Sequence, residues 1–160
     1  MEAIEKIRNH PLYRESYALL EEAEKDRIFC RHQITHLLDV ARIAYIRNLE
    51  EDLGMKKELI YAAALLHDIG KYRQYEDGTP HEIAGIKIAG QILTDTDSFT
   101  EEEKQMILKA ILEHRRSKEG MSVLGRLLYE SDKLSRVCCM CPAEPECNWS
   151  REKKNMEIKW

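Results

Sequence analysis

The run Ala62-Ala63-Ala64-Leu65-Leu66-His67-Asp68-Ile69-Gly70-Lys71 constrains this chain more than any other stretch. Three alanines followed by two leucines make a helix that is apolar all round, and such a helix is stable only when buried. It ends in an imidazole beside a carboxylate. Placing that pair in a core is costly unless something compensates it, and a divalent metal ion would do so. Gly70 then predicts a helix stop, because glycine takes the left-handed cap conformation without steric cost.

Seven glycines and four prolines in 160 residues leave few breaks, and apolar residues recur mostly three and four apart. Both features predict an all-α, single-domain bundle of about six to seven helices. The spacing places them at about 2–8, 11–25 (with Pro11 at its first position), 31–52, 56–68, 80–93, 100–115 and 122–137. Gly54 ends the third, and a polar loop is expected over 72–78. Thr79-Pro80-His81-Glu82 reads as a helix start, with Thr79 as N-cap, Pro80 at the first position and Glu82 completing a capping box. Thr100-Glu101-Glu102-Glu103 reads as another. The expected division is a helical metal-binding domain over 1–137, its motifs within 32–136, and a Cys-rich tail over 138–160.

The net charge is −4 although 34% of the residues are charged, so the signs nearly balance. That leaves no general basic footprint for nucleic acid and no polybasic membrane patch. No nucleic-acid partner and no membrane association are expected; recognition of an anionic ligand must be local. No apolar run reaches the length of a membrane span, and the first residues lack a signal-peptide layout, so a cytoplasmic protein is expected. Homo-oligomerisation stays open.

On this helix map the metal-binding residue types fall on separate elements. His36 lies on the long helix, His67 and Asp68 end the central one, His81 opens the next, His114 ends the fifth and Asp132 lies inside the last. Helices of a bundle can converge such side chains on one point. Four histidines and two carboxylates form a mixed N/O donor set suited to Fe, Mn or Zn and less to Ca or Mg alone. Taken singly, each has a plainer reading: His36 as a core histidine, His81 and His114 as helix-terminal polar groups, Asp132 as a solvated charge. His32, one turn before His36, reads as exposed or as a group behind the ligands, and His10 has no evident partner.

Taken together, the order His, His-Asp, His, His, Asp resembles the HD-domain superfamily of metal-dependent phosphohydrolases. The stretches that carry the resemblance are His36-Leu37-Leu38-Asp39-Val40-Ala41, His67-Asp68-Ile69-Gly70-Lys71, His81-Glu82-Ile83-Ala84-Gly85, Glu113-His114 and Glu130-Ser131-Asp132-Lys133-Leu134, spanning about 100 of the 160 residues. The glycine-tyrosine-proline motif of cyclic-di-GMP phosphodiesterases is absent, and the extra signature of the long stringent-response hydrolases is not evident.

The resemblance implies that His36, His67, Asp68 and Asp132 hold one metal ion. It further implies that Asp68 bridges to a second ion held by His81 and His114. The ions would be Fe, Mn, or Zn, Co or Mg. The implied activity is hydrolysis of a phosphate ester or anhydride of a nucleotide or small phosphorylated metabolite by a metal-bound hydroxide. Asp68 and Lys71 are the candidate catalytic groups, Lys71 contacting a phosphate oxygen or orienting Asp68. Arg115, Lys133 and Arg136 are further candidates for phosphate contacts. The motifs look similar to bacterial enzymes that split diadenosine tetraphosphate; a nucleoside monophosphate phosphatase is nearly as good a fit. Two alternatives are a mixed-valent di-iron oxygenase with the same ligands and a non-catalytic metal- or redox-sensing module.

The tail holds Cys138-x2-Cys141-x5-Cys147. With Cys30 as a fourth ligand, these thiols could bind zinc or an iron–sulfur cluster in a structural site and staple the tail to the bundle. The plainer alternative is a set of buried or reactive thiols.

Overall fold

The structure is a computed structural model and describes residues 1–159. Trp160, the last residue of the expected tail, lies outside the described residues. Eight α-helices follow in order: α1 (Glu2–Asn9), α2 (Pro11–Ala23), α3 (Ile34–Glu50), α4 (Lys57–Leu66), α5 (Lys71–Glu76), α6 (His81–Thr96), α7 (Glu101–Glu113) and α8 (Val123–Leu134). Three 3₁₀ turns, Cys138–Met140, Glu144–Glu146 and Arg151–Lys153, complete the chain. There is no strand among the described residues, so the fold is all-α as expected.

Helix α4 is the hub. Ala62, Ala63 and Ala64 are fully buried, and their small side chains let α3, α7 and α8 pack around one short helix. Val40, Ala41 and Ala44 of α3, Ile107, Ala110 and Ile111 of α7, and Leu124, Leu127 and Leu128 of α8 close the core around it. Helix α6 adds Ile92 and Leu93 from the side of α7, and α1 contributes Ile4 and Ile7.

Three local expectations are corrected. The stretch after Gly70 is helix α5 rather than a loop. It contains no glycine or proline up to Glu76, and Arg73 pairs with Glu76 and Asp77 along its face at 3.1 and 2.6 Å. This helix raises the count above six to seven. Gly70 is not a left-handed stop either: its φ is −89°. A β-carbon there would come within 2.6 Å of the His81 carbonyl oxygen and 2.8 Å of Gly85 Cα. Glycine is needed at this position for close backbone approach, which seats the start of α6 on the α4–α5 turn. Finally, α6 begins one residue later than expected, with Pro80 as N-cap and no side-chain cap. The Asp77 carboxylate accepts from the Thr79 amide at 2.9 Å, and Glu82 is turned toward Arg115 instead.

Elsewhere the caps follow the sequence. Thr100 and Glu103 form the reciprocal capping box of α7, and Gly54 has the left-handed φ of +67° expected after the long helix. Helix α8 stops at Leu134, short of 137, because the Asn155 side-chain amide takes the freed carbonyls of Lys133 and Arg136 at 2.6 and 2.9 Å. His10 does find partners: its ring accepts from the Leu12 amide to cap α2 and approaches Asp95 at 3.3 Å.

Candidate metal centre

All six expected ligands are buried and come together. His36, His67, Asp68 and Asp132 offer four donor atoms mutually within 4.8 Å, and Asp68, His81 and His114 offer three. The two groups share Asp68. Its Oδ2 lies 2.9 Å from His67 Nε2 and 3.9 Å from His36 Nε2, while its Oδ1 lies 3.5 Å from His81 Nε2 and 3.7 Å from His114 Nε2. One carboxylate thus faces two histidine groups with different oxygens.

Backbone and side-chain acceptors fix the histidine tautomers. His67 Nδ1 donates to the Ala64 carbonyl at 2.7 Å, and His114 Nδ1 donates to the Ile111 carbonyl at 2.5 Å. His81 Nδ1 pairs with Gln74 Oε1 at 2.6 Å, and His36 Nδ1 with Ser135 Oγ at 3.0 Å. Because the Ser135 hydroxyl donates to the Asp132 carbonyl, it accepts from His36. Each ring therefore turns Nε2 inward, the arrangement that outer hydrogen bonds impose on metal-binding histidines.

Without a cation these inward atoms oppose one another. His81 Nε2 and His114 Nε2 stand 3.0 Å apart, both facing a carboxylate. His67 Nε2 is fully buried and makes no hydrogen bond, despite its closeness to Asp68. A donor set so placed fits one metal ion in each group.

The electrostatics agree. Burial pushes His36 down to about 4 and His81 down to about 3, keeping both rings neutral. At His67 burial also disfavours charge, but Asp68 and Asp132 outweigh it and raise the ring to about 10. Positive charge is attracted to this point, as a proton or as a metal ion. Burial works to raise both carboxyls, yet the histidines, His67 foremost at Asp68 and His36 at Asp132, hold them well below the usual carboxylate range.

A cavity of about 680 Å³ opens onto the centre, within the range of small-molecule sites. Lys71 lines it, and burial lowers its pKa. Arg115, Lys133 and Arg136 line it too, each already paired. Arg115 holds Glu82 at 3.0 Å, Lys133 holds Asp132, and Arg136 donates to His36 Nε2 at 3.1 Å and Asp132 Oδ1 at 3.3 Å.

His32 takes the second of its two expected places, behind the ligands, and further residues of the site had no sequence signal. His32 is buried; its ring Nδ1 lies 2.5 Å from Glu24 Oε1 and its Nε2 lies 3.7 Å from Asp68 Oδ2. It precedes α3, so the one-turn spacing to His36 was a weak guide. Gln74 falls in the stretch expected as a loop; its place on α5 is what brings it to His81. Arg27, Phe29 and Trp149 also line the cavity, and no sequence signal linked them to it.

The expected thiols Cys30, Cys138, Cys141 and Cys147 line the same cavity as free cysteines. They form no third donor group within the 4.8 Å spacing among the described residues.

Residues 34–137 match the HD domain, and the chain belongs to that family. A crystal structure described as a predicted HD superfamily hydrolase from an uncultured Thermotogales bacterium superposes with a TM-score of 0.63 at 25% identity, covering 89% of this chain and 81% of that one. Together these support a metal-dependent hydrolase of the general phosphohydrolase class. An uncharacterized protein of Clostridium beijerinckii is 53% identical over 135 residues, 84% of either chain. Ribonuclease Y of Enterococcus faecalis is 26% identical over 148 residues, and the chain spans 26% of that protein's length. Ribonuclease Y of Clostridium tetani is 28% identical over 126 residues, or 22% of its length. No described helix is long and apolar enough to cross a membrane.

Proposed function

We propose that this protein hydrolyses a phosphate ester or anhydride of a nucleotide or another small phosphorylated metabolite, using two metal ions that share Asp68. The observation that carries this reading is the cavity itself, lined together by the histidines and aspartates, by basic residues and by the aromatic side chains Phe29 and Trp149. When bound, such ions lower the pKa of a water and clamp phosphate oxygens as charge builds.

The chain's own residues do the rest. Asp68 holds both histidine groups in register, and the Nδ1 bonds of His67, His81 and His114 keep each Nε2 aimed at the floor. Lys71, half-buried at the wall, supplies a cation for a phosphate oxygen. Arg136, already on His36 and Asp132, can turn its fork to a phosphate once those atoms have another partner. Trp149 offers a flat face on which a nucleobase can stack.

A second reading is cleavage of an RNA phosphodiester, suggested by the similarity to the Ribonuclease Y proteins. The net charge of −4 speaks against long nucleic acids, so a short oligonucleotide is the form to test.

The experiment is a hydrolysis panel of nucleoside monophosphates, dinucleoside polyphosphates, sugar phosphates and short RNAs. Mn²⁺, Co²⁺ or anaerobic Fe²⁺ is supplied, products are separated chromatographically, and Asp68→Ala is the control. Turnover of a small phosphate compound that requires metal and vanishes in Asp68→Ala is the expected result. Cleavage confined to RNA would favour the second reading. Metal binding without hydrolysis of any substrate would overturn both and bring oxygen-dependent chemistry forward.

A further inference from the structure

Four of the five cysteines remain outside the metal centre's chemistry yet share its cavity. Cys30 lies just before α3, whereas Cys138 opens the first 3₁₀ turn after α8, and Cys141 and Cys147 directly follow the first and second turns. The turns set their spacing: the Cys141 amide donates to the Cys138 carbonyl at 3.1 Å, and the Cys147 amide to the Glu144 carbonyl at 3.2 Å. The fifth, Cys139, does not line this cavity; it lines a separate small pocket beside Asn155. Burial raises the Cys138 thiol above its ordinary value; a backbone hydrogen bond with Asn155 works against this, and the nearby thiols of Cys30, Cys147 and Cys141 add to it.

The surrounding contacts hold this arrangement. Asn155 ties the segment to the end of α8 and accepts from the Cys139 amide at 3.0 Å. Arg27 donates to the Cys30 carbonyl at 2.9 Å, and Arg136 to the Arg31 carbonyl at 3.3 Å. Arg27, Arg136 and Lys154 line the cavity beside these thiols, Lys154 paired with Glu144 and Arg136 with Asp132.

The candidate occupants demand different sulfur spacings. A single tetrahedral zinc ion with bonds of about 2.3 Å draws its sulfurs to within about 4 Å of each other. No three of these sulfurs meet even the 4.8 Å spacing found in the histidine–aspartate groups. An iron–sulfur cluster places several irons and sulfides between its four thiolates and holds them farther apart. We propose that Cys30, Cys138, Cys141 and Cys147 hold a four-cysteine iron–sulfur cluster that fastens the C-terminal segment as one wall of the catalytic cavity. The cluster fixes the turns that carry Asn148 and Trp149, so it shapes the substrate side of the site while standing apart from the histidines.

The test uses the intact chain, produced and purified without oxygen. Acid-labile sulfide, iron, zinc and visible absorption are measured in wild type and in Cys30→Ser, Cys147→Ser, Cys139→Ser and Asp68→Ala. Sulfide separates this site from iron on the histidines, which brings none. Expected is labile sulfide with broad visible absorption in wild type, lost in Cys30→Ser and Cys147→Ser and kept in Cys139→Ser and Asp68→Ala. Far-ultraviolet circular dichroism checks that the serine variants keep their helices; the wild-type sulfide content decides the matter even if they do not. Zinc without sulfide, released by Cys147→Ser, would overturn the cluster, as would wild-type protein free of sulfide whose metal content ignores every cysteine substitution.

Discussion

Asp68 gives one oxygen to each histidine group, so its loss should act on both at once. Gln74 acts on one. Its carbonyl holds His81 Nδ1 at 2.6 Å and touches nothing in the other group. Gln74→Ala should weaken metal affinity at the His81–His114 group by about 10–100-fold, the usual cost of removing such an outer partner. Calorimetric titration should show one of two binding events weakened and the other unchanged. Gly70 and Gly85 make a second contrast. A β-carbon at Gly70 meets backbone atoms within 2.8 Å, whereas one at Gly85 meets its nearest neighbour at 3.6 Å, ordinary contact. Gly70→Ala should therefore cost about 3 kcal/mol, at the upper end of overpacking penalties. Gly85→Ala, inside α6, should be neutral or stabilising by up to about 1 kcal/mol. Urea denaturation midpoints would separate the two.

Helix α8 is tied to α7 at its start. Its first turn is capped by Ser122, whose hydroxyl accepts from the Gly125 amide at 3.1 Å. Buried Glu113, at the end of α7, accepts in turn from the Ser122 hydroxyl and amide at 2.6 and 3.0 Å. This joins the two helices that carry His114 and Asp132. Ser122→Ala should cost about 1–2 kcal/mol, since it removes a cap and strips a buried carboxylate of one donor. Thr100→Ala, an exposed capping-box change on α7, should cost about 1 kcal/mol and leave metal affinity alone. Thermal unfolding and metal titration of the two variants would show whether the α7–α8 joint matters to the centre or only to stability.

For the molecule as a whole, stability should depend on metal and on acid. Ligands that bind only the folded state stabilise it by mass action, so Mn²⁺ in excess should raise the Tm of wild type and not of Asp68→Ala. Asp68 and Asp132, held well below the usual carboxylate range, and Glu24 should all contribute to the acid response. Glu24 is the one that can be tested away from the metal centre's ligands. Burial opposes its charge, but hydrogen bonds from His32 and Tyr75 outweigh that and lower its pKa from 4.5 to about 2. A carboxylate depressed on folding adds stability that is complete above its unfolded pKa and disappears as pH falls through the folded one. Glu24→Gln should accordingly lessen the loss of stability between pH 4.5 and 2. Comparing the denaturation midpoints of wild type and variant across that interval would check it.

Sequence alone was enough for the helical class and the buried alanine helix, and it singled out the six side chains that the structure brings together. Those features are local: an apolar period of 3.6 residues, a capping box at Thr100, and histidines at helix ends write themselves into neighbouring residues. It also carried most helix starts. It did not carry α5, because the polar stretch after Gly70 is held helical by Tyr75 reaching Glu24 and Gln74 reaching His81, partners distant in the chain. Nor could it show that Gly70 serves backbone contact rather than a left-handed turn, since both demand the absence of a side chain. That Asp68 serves both groups was expected from the resemblance; that His32 links Glu24 to Asp68, and that Trp149 and the cysteines share the cavity, came only with the folded structure. The reason is physical: each of these depends on how elements far apart in sequence are brought together by burial of one common core.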